Sequence, residues 1–171
     1  MRSSTKPLDE AARGAAIRHA PVEDDPPGAD ALRAFSRSLP MLLLRSHQAV
    51  MAEFRPILRA HGVTEQQWRV LRAQTTGPSV RAAQLAELTL ISGPSLTRIL
   101  RDLEARGLIR RSADRADQRA ARIALAPAGR RLIAAVGPHS ERRYREIARR
   151  IGEDDLQALY ALLARVPERL R

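Results

Sequence analysis

Four apolar positions decide most of what the middle of this chain can become. Leu96, Ile99, Leu100 and Leu103 recur at i, i+3, i+4 and i+7, which is the period of one helical face and not of a strand. That face must pack inward. Arg98 then points away from the core, with Pro94, Ser95, Thr97 and Arg101 beside it on a small, polar and basic outer surface. Ser92 stands at the N-cap position, and Pro94 falls in the first turn, where an amide hydrogen has no partner. Upstream, Ala82, Leu85, Ala86 and Thr89 give a supporting helix, and Leu90 with Ile91 fills the tight turn between the two. Gly107 stops the second helix. Leu108 to Arg111 and Ala121 to Leu125 then read as the strands of a hairpin around the polar run Ser112 to Ala120.

Two short helices and a hairpin over residues 81–125 make a helix-turn-helix with a wing, and its side chains suit DNA. The open N-terminal amides of the second helix suit a phosphate, and Ser95, Thr97 and Arg98 can meet phosphates or base edges in a major groove. Arg110, Arg111, Arg115, Arg119 and Arg122 crowd the hairpin, whose tip suits a narrow, electronegative minor groove. A carboxylate there repels DNA, so Asp117 is read as the local partner that orients Arg119. The competing reading treats these arginines as ordinary surface, since Lys6 is the sole lysine among 30 basic residues. Helix spacing, capping and hairpin occurring together favour the DNA reading.

With 171 residues, 44% of them hydrophobic and only 3% aromatic, the chain can bury a core built of helices. The net charge of +11 resides beyond residue 38. Before it, Arg2, Lys6, Arg13, Arg18, Arg33 and Arg37 are balanced by Asp9, Glu10, Glu23, Asp24, Asp25 and Asp30. There is no cysteine, and His19, His47, His61 and His139 are scattered without ligand spacing, so neither a metal nor another cofactor is expected. With no phosphate-cradling glycine loop either, no catalytic residue is assigned and the chain is not read as an enzyme. The longest apolar run, Met41 to Leu44, is too short to cross a bilayer and no signal-peptide segment opens the chain, so a cytoplasmic location without a membrane partner is expected.

Residues 1–35, rich in proline and mixed charge, read as a flexible extension. Leu39, Leu43, Val50, Phe54 and Ile57 mark a long helix over 36–61, bent near Pro56 and stopped by Gly62. Thr64 and Gln67 form a capping box for the next helix, with Val63 stapled against Trp68. Pro127 opens another helix, with a kink or break expected at Gly137 and Pro138, and Leu156, Leu159, Leu163 and Val166 mark a final amphipathic segment. The apolar faces of segments 36–61 and 127–170 exceed what one chain can cover, which favours a homodimer.

The run LAELTLISGPSLTRILRDLEARGLIRR followed by DQRAARIALAPAG resembles the MarR family of bacterial winged helix-turn-helix regulators, and the resemblance extends over about residues 36–170. Within it, LPMLLLRSHQAVMAEFRPILRAHGVTEQQWRVLRA is similar to the first two helices of the homoprotocatechuate-operon, HpaR-like, subgroup. The resemblance implies a mainly α fold over 36–171, a winged helix-turn-helix with a two-stranded β wing, flanked by long dimerisation helices. It also implies a homodimer on a palindromic double-stranded operator, with recognition helices roughly 34 Å apart. The implied DNA contacts are Ser92, Ser95, Thr97, Arg98 and Arg101 on the helix and Arg115 and Arg119 on the wing, with Asp117 as the wing aspartate. Ala126 departs from the family's capping threonine.

Regulators of this kind are commonly released by small aromatic acids. Candidates for such an effector are Arg45, Ser46, His47 and Gln48, on a mostly apolar helix, and Trp68 as an aromatic wall. Each has a plain structural role as its alternative. The expected function is a repressor of an aromatic-compound catabolic operon, released by an aromatic or heteroaromatic carboxylate. The alternative is an architectural DNA-binding protein without a ligand response.

Overall fold

Apolar spacing accounts for most of the observed helices, and the helix Glu65–Ala73 alone among those described with an N-cap carries a side-chain capping bond. The computed structural model describes residues 35–113 and 121–171. Backbone contacts divide the chain into two units, residues 1–42 and 43–171. Of the first, the described part is the short 3-10 turn Phe35–Arg37 and the start of the first helix. The expectation of a flexible extension over 1–35 therefore falls, Phe35 aside, outside the described residues.

The elements in order are α1 (Leu39–Ala60), α2 (Glu65–Ala73), β1 (Val80–Arg81), α3 (Ala82–Thr89), α4 (Gly93–Ala105), β2 (Ile109–Ala113), β3 (Ala121–Leu125), α5 (Pro127–Ile151) and α6 (Glu153–Arg169). The capping box of α2 is present: the Gln67 amide N–H donates to Thr64 Oγ1 at 3.2 Å, and Gln67 Oε1 accepts from the Thr64 N–H at 2.8 Å. Pro56 lies inside α1, which continues through it to Ala60. Gly137 and Pro138 likewise lie within an unbroken α5. Val136 and Ser140 on either side of them are buried, so packing holds the turn that lacks the proline's amide donor.

The wing is larger than the two strands expected. β1 joins as a third strand, giving the antiparallel order β1-β3-β2, with Val80 opposite Ile123 and Arg111 opposite the same residue from the other side. One core lies beneath these elements. Leu58, Leu71, Leu85, Leu103, Ile109 and Ile123 are fully enclosed in it, each burial contributing roughly 1.5–3 kcal/mol relative to exposure. Val63 is buried and Trp68 packs against this cluster.

Turn chemistry departs from the expectation at Leu90. Ile91 fills the turn between α3 and α4, whereas Leu90 adopts the left-handed conformation, φ +53, and is 88% exposed. At the start of α5, Ala126 caps without a side-chain hydrogen bond and is itself buried. Its N–H donates to the Leu108 carbonyl at 3.0 Å, and Gly129 brings the first turn of α5 directly against that same carbonyl.

Candidate nucleic-acid interface

The inner face of α4 is the one its spacing dictates. Leu96, Ile99, Leu100 and Leu103 are buried, while Thr97, Arg98 and Arg101 are exposed and Ser95 is half-buried at the edge. Ser92 occupies the N-cap position, yet its side chain does not cap: its Oγ donates to Ser95 Oγ at 3.0 Å. The first-turn amides therefore stay open toward solvent, where they and the helix dipole favour an anion. Thr97 donates its hydroxyl to the Gly93 carbonyl at 3.0 Å, so its remaining lone pairs and methyl face outward. Arg98 and Arg101 form no ion pair or hydrogen bond among the described residues.

Polar contacts with α2 and the turn before it hold the C-terminal part of α4 and the end of α3. Near the C-terminus of α4, Gln67 Nε2 donates to Asp102 Oδ2 at 2.8 Å, and Arg106 donates to the Gly62 carbonyl at 2.8 Å. Before its N-terminus, Arg69 donates to the Thr89 carbonyl at 3.0 Å and lies 3.3 Å from Glu65. A groove of about 480 Å³ runs between α2 and α4, with Glu65, Arg69, Arg98 and Asp102 along it. Sequence spacing identified which face of α4 points outward but not these braces, which join residues 20 to 44 positions apart.

The hairpin arginines are not equivalent. Arg111 Nε lies 2.9 Å from Glu104 Oε2 on α4, and Arg122 Nε donates to Ser79 Oγ at 2.8 Å. Both serve to fix the wing to the body. Arg110 is exposed. Arg115, Asp117 and Arg119 lie outside the described residues.

The residues expected at an effector site are spread over a wider junction. Arg45, Ser46, His47 and Gln48 are all exposed on α1. Gln48 accepts a hydrogen bond from Arg55, and His47 Nε2 lies 3.4 Å from Glu65 Oε1, which brings this part of α1 to the start of α2. Trp68, three residues on, is turned partly into the core. Two further side chains, Tyr144 and Arg72, are close to one another. Tyr144 on α5 stacks at a tilt on Phe54, ring centroids 4.8 Å apart. Burial raises its hydroxyl above the ordinary 10.0, and the charge of Arg72 opposes that rise. Arg72 was readable as the cation one helical turn after Trp68; Tyr144, 72 positions further along the chain, had no local signal.

Among the described residues no group of three or more acidic, histidine or cysteine side chains is arranged to hold a metal ion, and no helix is long and apolar enough to cross a membrane.

The chain is similar to characterised proteins. The MarR family profile matches residues 61–120. The homoprotocatechuate degradative operon repressor of Escherichia coli is 38% identical over 126 residues, covering 74% of this chain and 85% of that one. NadR, solved in complex with 4-hydroxyphenylacetate, superposes with a TM-score of 0.69 at 32% identity over 79% of this chain and 96% of its own. The repressor CouR, solved on a 23-mer DNA duplex, gives a TM-score of 0.70 at 26% identity over 77% of this chain and 94% of its own. Relatives of this chain are thus transcriptional regulators, repressors among them, and not enzymes. Profile, identity and winged helix-turn-helix architecture together place the chain in the MarR family of transcriptional regulators.

Proposed function

We propose that this protein is a cytoplasmic repressor that binds a palindromic operator as a homodimer and leaves it when a small aromatic or heteroaromatic carboxylate binds. The observation that carries the DNA reading is the outer face of α4, where Arg98 and Arg101, unpaired among the described residues, stand beside Ser95 and Thr97 on a helix braced near its C-terminus. Ser92 and the open first-turn amides add phosphate contacts, and Arg115 and Arg119 reach the flanking minor groove with Asp117 orienting the tip. A dimer is supported by the exposed apolar side chains of α1 and α6, among them Leu43, Leu44, Leu159 and Leu163.

The effector reading rests on the junction of α1, α2 and α5. Arg72 and Arg45 offer cations for a carboxylate, Trp68 and Phe54 offer aromatic walls, and Tyr144, neutral at physiological pH, offers a hydroxyl. Ser46, His47 and Gln48, exposed on α1, would line the approach. The bound 4-hydroxyphenylacetate of NadR, a phenol carrying a carboxylate, supports this class of ligand. Release follows if the ligand favours a dimer whose two α4 helices are misplaced for successive major grooves.

The test is competition binding to a fragment of the protein's own promoter in excess random DNA, with and without compounds found by thermal shift among aromatic carboxylates. A repressor holds the fragment several orders of magnitude more tightly than random DNA and lets it go with the compound. An architectural protein shows no such preference. Arg45→Ala and Arg72→Ala, assayed side by side, should retain operator affinity, and at least one of them should lose the response.

A further inference from the structure

The second half of α5 and the start of α6 enclose a groove that the reading above does not use. It measures about 750 Å³ and is lined by Arg142, Tyr144, Arg145, Arg149, Gln157 and Tyr160. Its basic edge follows from the sequence, since Arg142, Arg145 and Arg149 recur at i, i+3 and i+7 and share one face of α5. The arginines beside them are engaged. Arg143 lies 3.2 Å from Glu53 and 3.0 Å from Glu146, and Arg150 lies 2.8 Å from Glu53, so these two fasten α5 to α1. Arg142 donates to His139 Nδ1 at 2.7 Å. Arg145 and Arg149 have no hydrogen bond or ion pair among the described residues, and both open on the groove. Two like charges one turn apart disfavour the helix that carries them, and each presents a planar fork of donors that suits an oxyanion. The two carboxylates of the groove do not answer them. Glu146 is held by Arg143, and Glu153 stands in the first turn of α6, where the helix dipole favours it. The three arginines are exposed and both tyrosines are about half-exposed, so an occupant can reach them. Burial raises the Tyr144 hydroxyl above its ordinary range, Arg72 opposes the rise and Tyr160 adds to it, which puts the two tyrosines close enough to act on each other.

We propose that this groove is a second small-molecule site, which takes a phosphate monoester carried on an aromatic or heteroaromatic ring. Near neutral pH such a phosphate carries about −1.5 to −2 charges and three acceptor oxygens, enough to engage the forks of Arg145 and Arg149 together. A carboxylate brings a single charge and two oxygens, which satisfy one fork. Tyr144 and Tyr160 offer rings for stacking, and Leu156 and Ala148 offer apolar contact. Two sources share this chemistry, a nucleoside monophosphate and a simple aryl phosphate. The Gln157 amide, with donors and an acceptor on one edge, favours the first, because a base carries the complementary edge. A volume of about 750 Å³ lies in the range of small-molecule sites. An occupant ties α5, which leaves the wing, to α6, which carries the exposed leucines.

The experiment is calorimetric titration of adenosine monophosphate, phenyl phosphate, adenosine and inorganic phosphate into the full-length protein, the double variant Arg145→Gln with Arg149→Gln, and the single variants Arg72→Ala and Arg98→Ala. At least one of the two esters should bind the unmodified chain about tenfold more tightly than adenosine or inorganic phosphate, and the double variant should lose about that factor. Preference for adenosine monophosphate assigns a nucleotide, and preference for phenyl phosphate an aryl phosphate. Both arginines replaced in the double variant are exposed and unpaired among the described residues, so it should keep the melting temperature of the unmodified chain. Arg72→Ala and Arg98→Ala should bind the ester as the unmodified chain does. Four results overturn the proposal: no ester binding at millimolar concentration; equal binding by the double variant; inorganic phosphate binding as tightly as the esters, which reduces the groove to a patch of charge; or loss of binding in Arg72→Ala or Arg98→Ala, which moves the ligand to the effector junction or to the DNA face. Because the readout is binding and not operator release, failure here leaves the repressor reading standing, and failure of that reading leaves this one to be judged on its own titration.

Discussion

Arg98 differs from most arginines around it in having nothing within the described protein to hold. Arg111 is committed to Glu104 and Arg122 to Ser79, so truncating either acts first on the wing's attachment. Truncating Arg98 acts on whatever lies outside. Arg98→Ala is therefore expected to leave the circular dichroism spectrum and melting temperature unchanged and to weaken operator binding by about 1–3 kcal/mol. Titrations at several salt concentrations separate its two possible roles. A base contact leaves the salt slope in place and relaxes discrimination at one position, whereas a phosphate contact weakens all sequences and lowers the slope by about one. Unchanged affinity removes Arg98 from the interface. At this scale the sequence distinguished outward from inward positions through helical period alone. It could not distinguish committed from uncommitted arginines, because the partner of Arg122 lies 43 positions away on a different segment.

At the scale of elements, α2 does two jobs: it contributes Val70 and Leu71 to the core, and it braces the recognition helix through Gln67 and the end of α3 through Arg69. Gln67 serves the cap and the brace together, since its Oε1 accepts from Thr64 while its Nε2 donates to Asp102. These functions can be separated. Thr64→Ala removes the side-chain acceptor alone and should cost about 1 kcal/mol of stability, read by denaturant midpoint, with little effect on operator affinity. Gln67→Leu also releases Asp102, and should lower operator affinity beyond what its stability loss explains; equal behaviour of the two variants shows that the brace is dispensable. A stronger effect is expected at Gly129. A Cβ there collides with the backbone carbonyl of Leu108, which cannot swing aside as a side chain would, so Gly129→Ala must push α5 off the start of β2. Loss of several degrees in melting temperature, or failure to accumulate folded protein, is the expected outcome. The helices and the capping box were legible because their signals are local. The two-residue strand β1 was not, since only its pairing with β3 defines it, and the continuity of the 25-residue α5 through Pro138 depends on buried neighbours that no local rule sees.

For the molecule as a whole, the unresolved demand is apolar. Leu159, Leu162 and Leu163 on α6 and Leu43, Leu44 and Val50 on α1 are each at least about one-third exposed, while burial on these helices is limited to Leu156 on α6 and to Phe54 and Leu58 on α1. Such stripes are rarely left uncovered in a folded protein, and a second copy would cover them with like surfaces. Leu159 and Leu163 lie one helical turn apart on the same face, so replacing both by arginine sets like charges against each other wherever two copies meet there. The double variant should sediment as a monomer at micromolar concentration, whereas the unmodified chain is expected to sediment as a dimer. The reading helix is far along the chain from these positions and its core is separate, so the far-ultraviolet spectrum should persist and binding to a single half-site should change little. Binding to a full palindrome is a different matter. In a dimer the second reader acts at an effective concentration near millimolar once the first has docked, and losing it should cost on the order of 10²–10⁴ in affinity. The salt slope should fall too, because a monomer neutralises about half as many phosphates. A double variant that stays dimeric and keeps full palindrome affinity would move the assembly surface elsewhere, and with it the link by which ligand bound beside α1 is expected to reposition two α4 helices together.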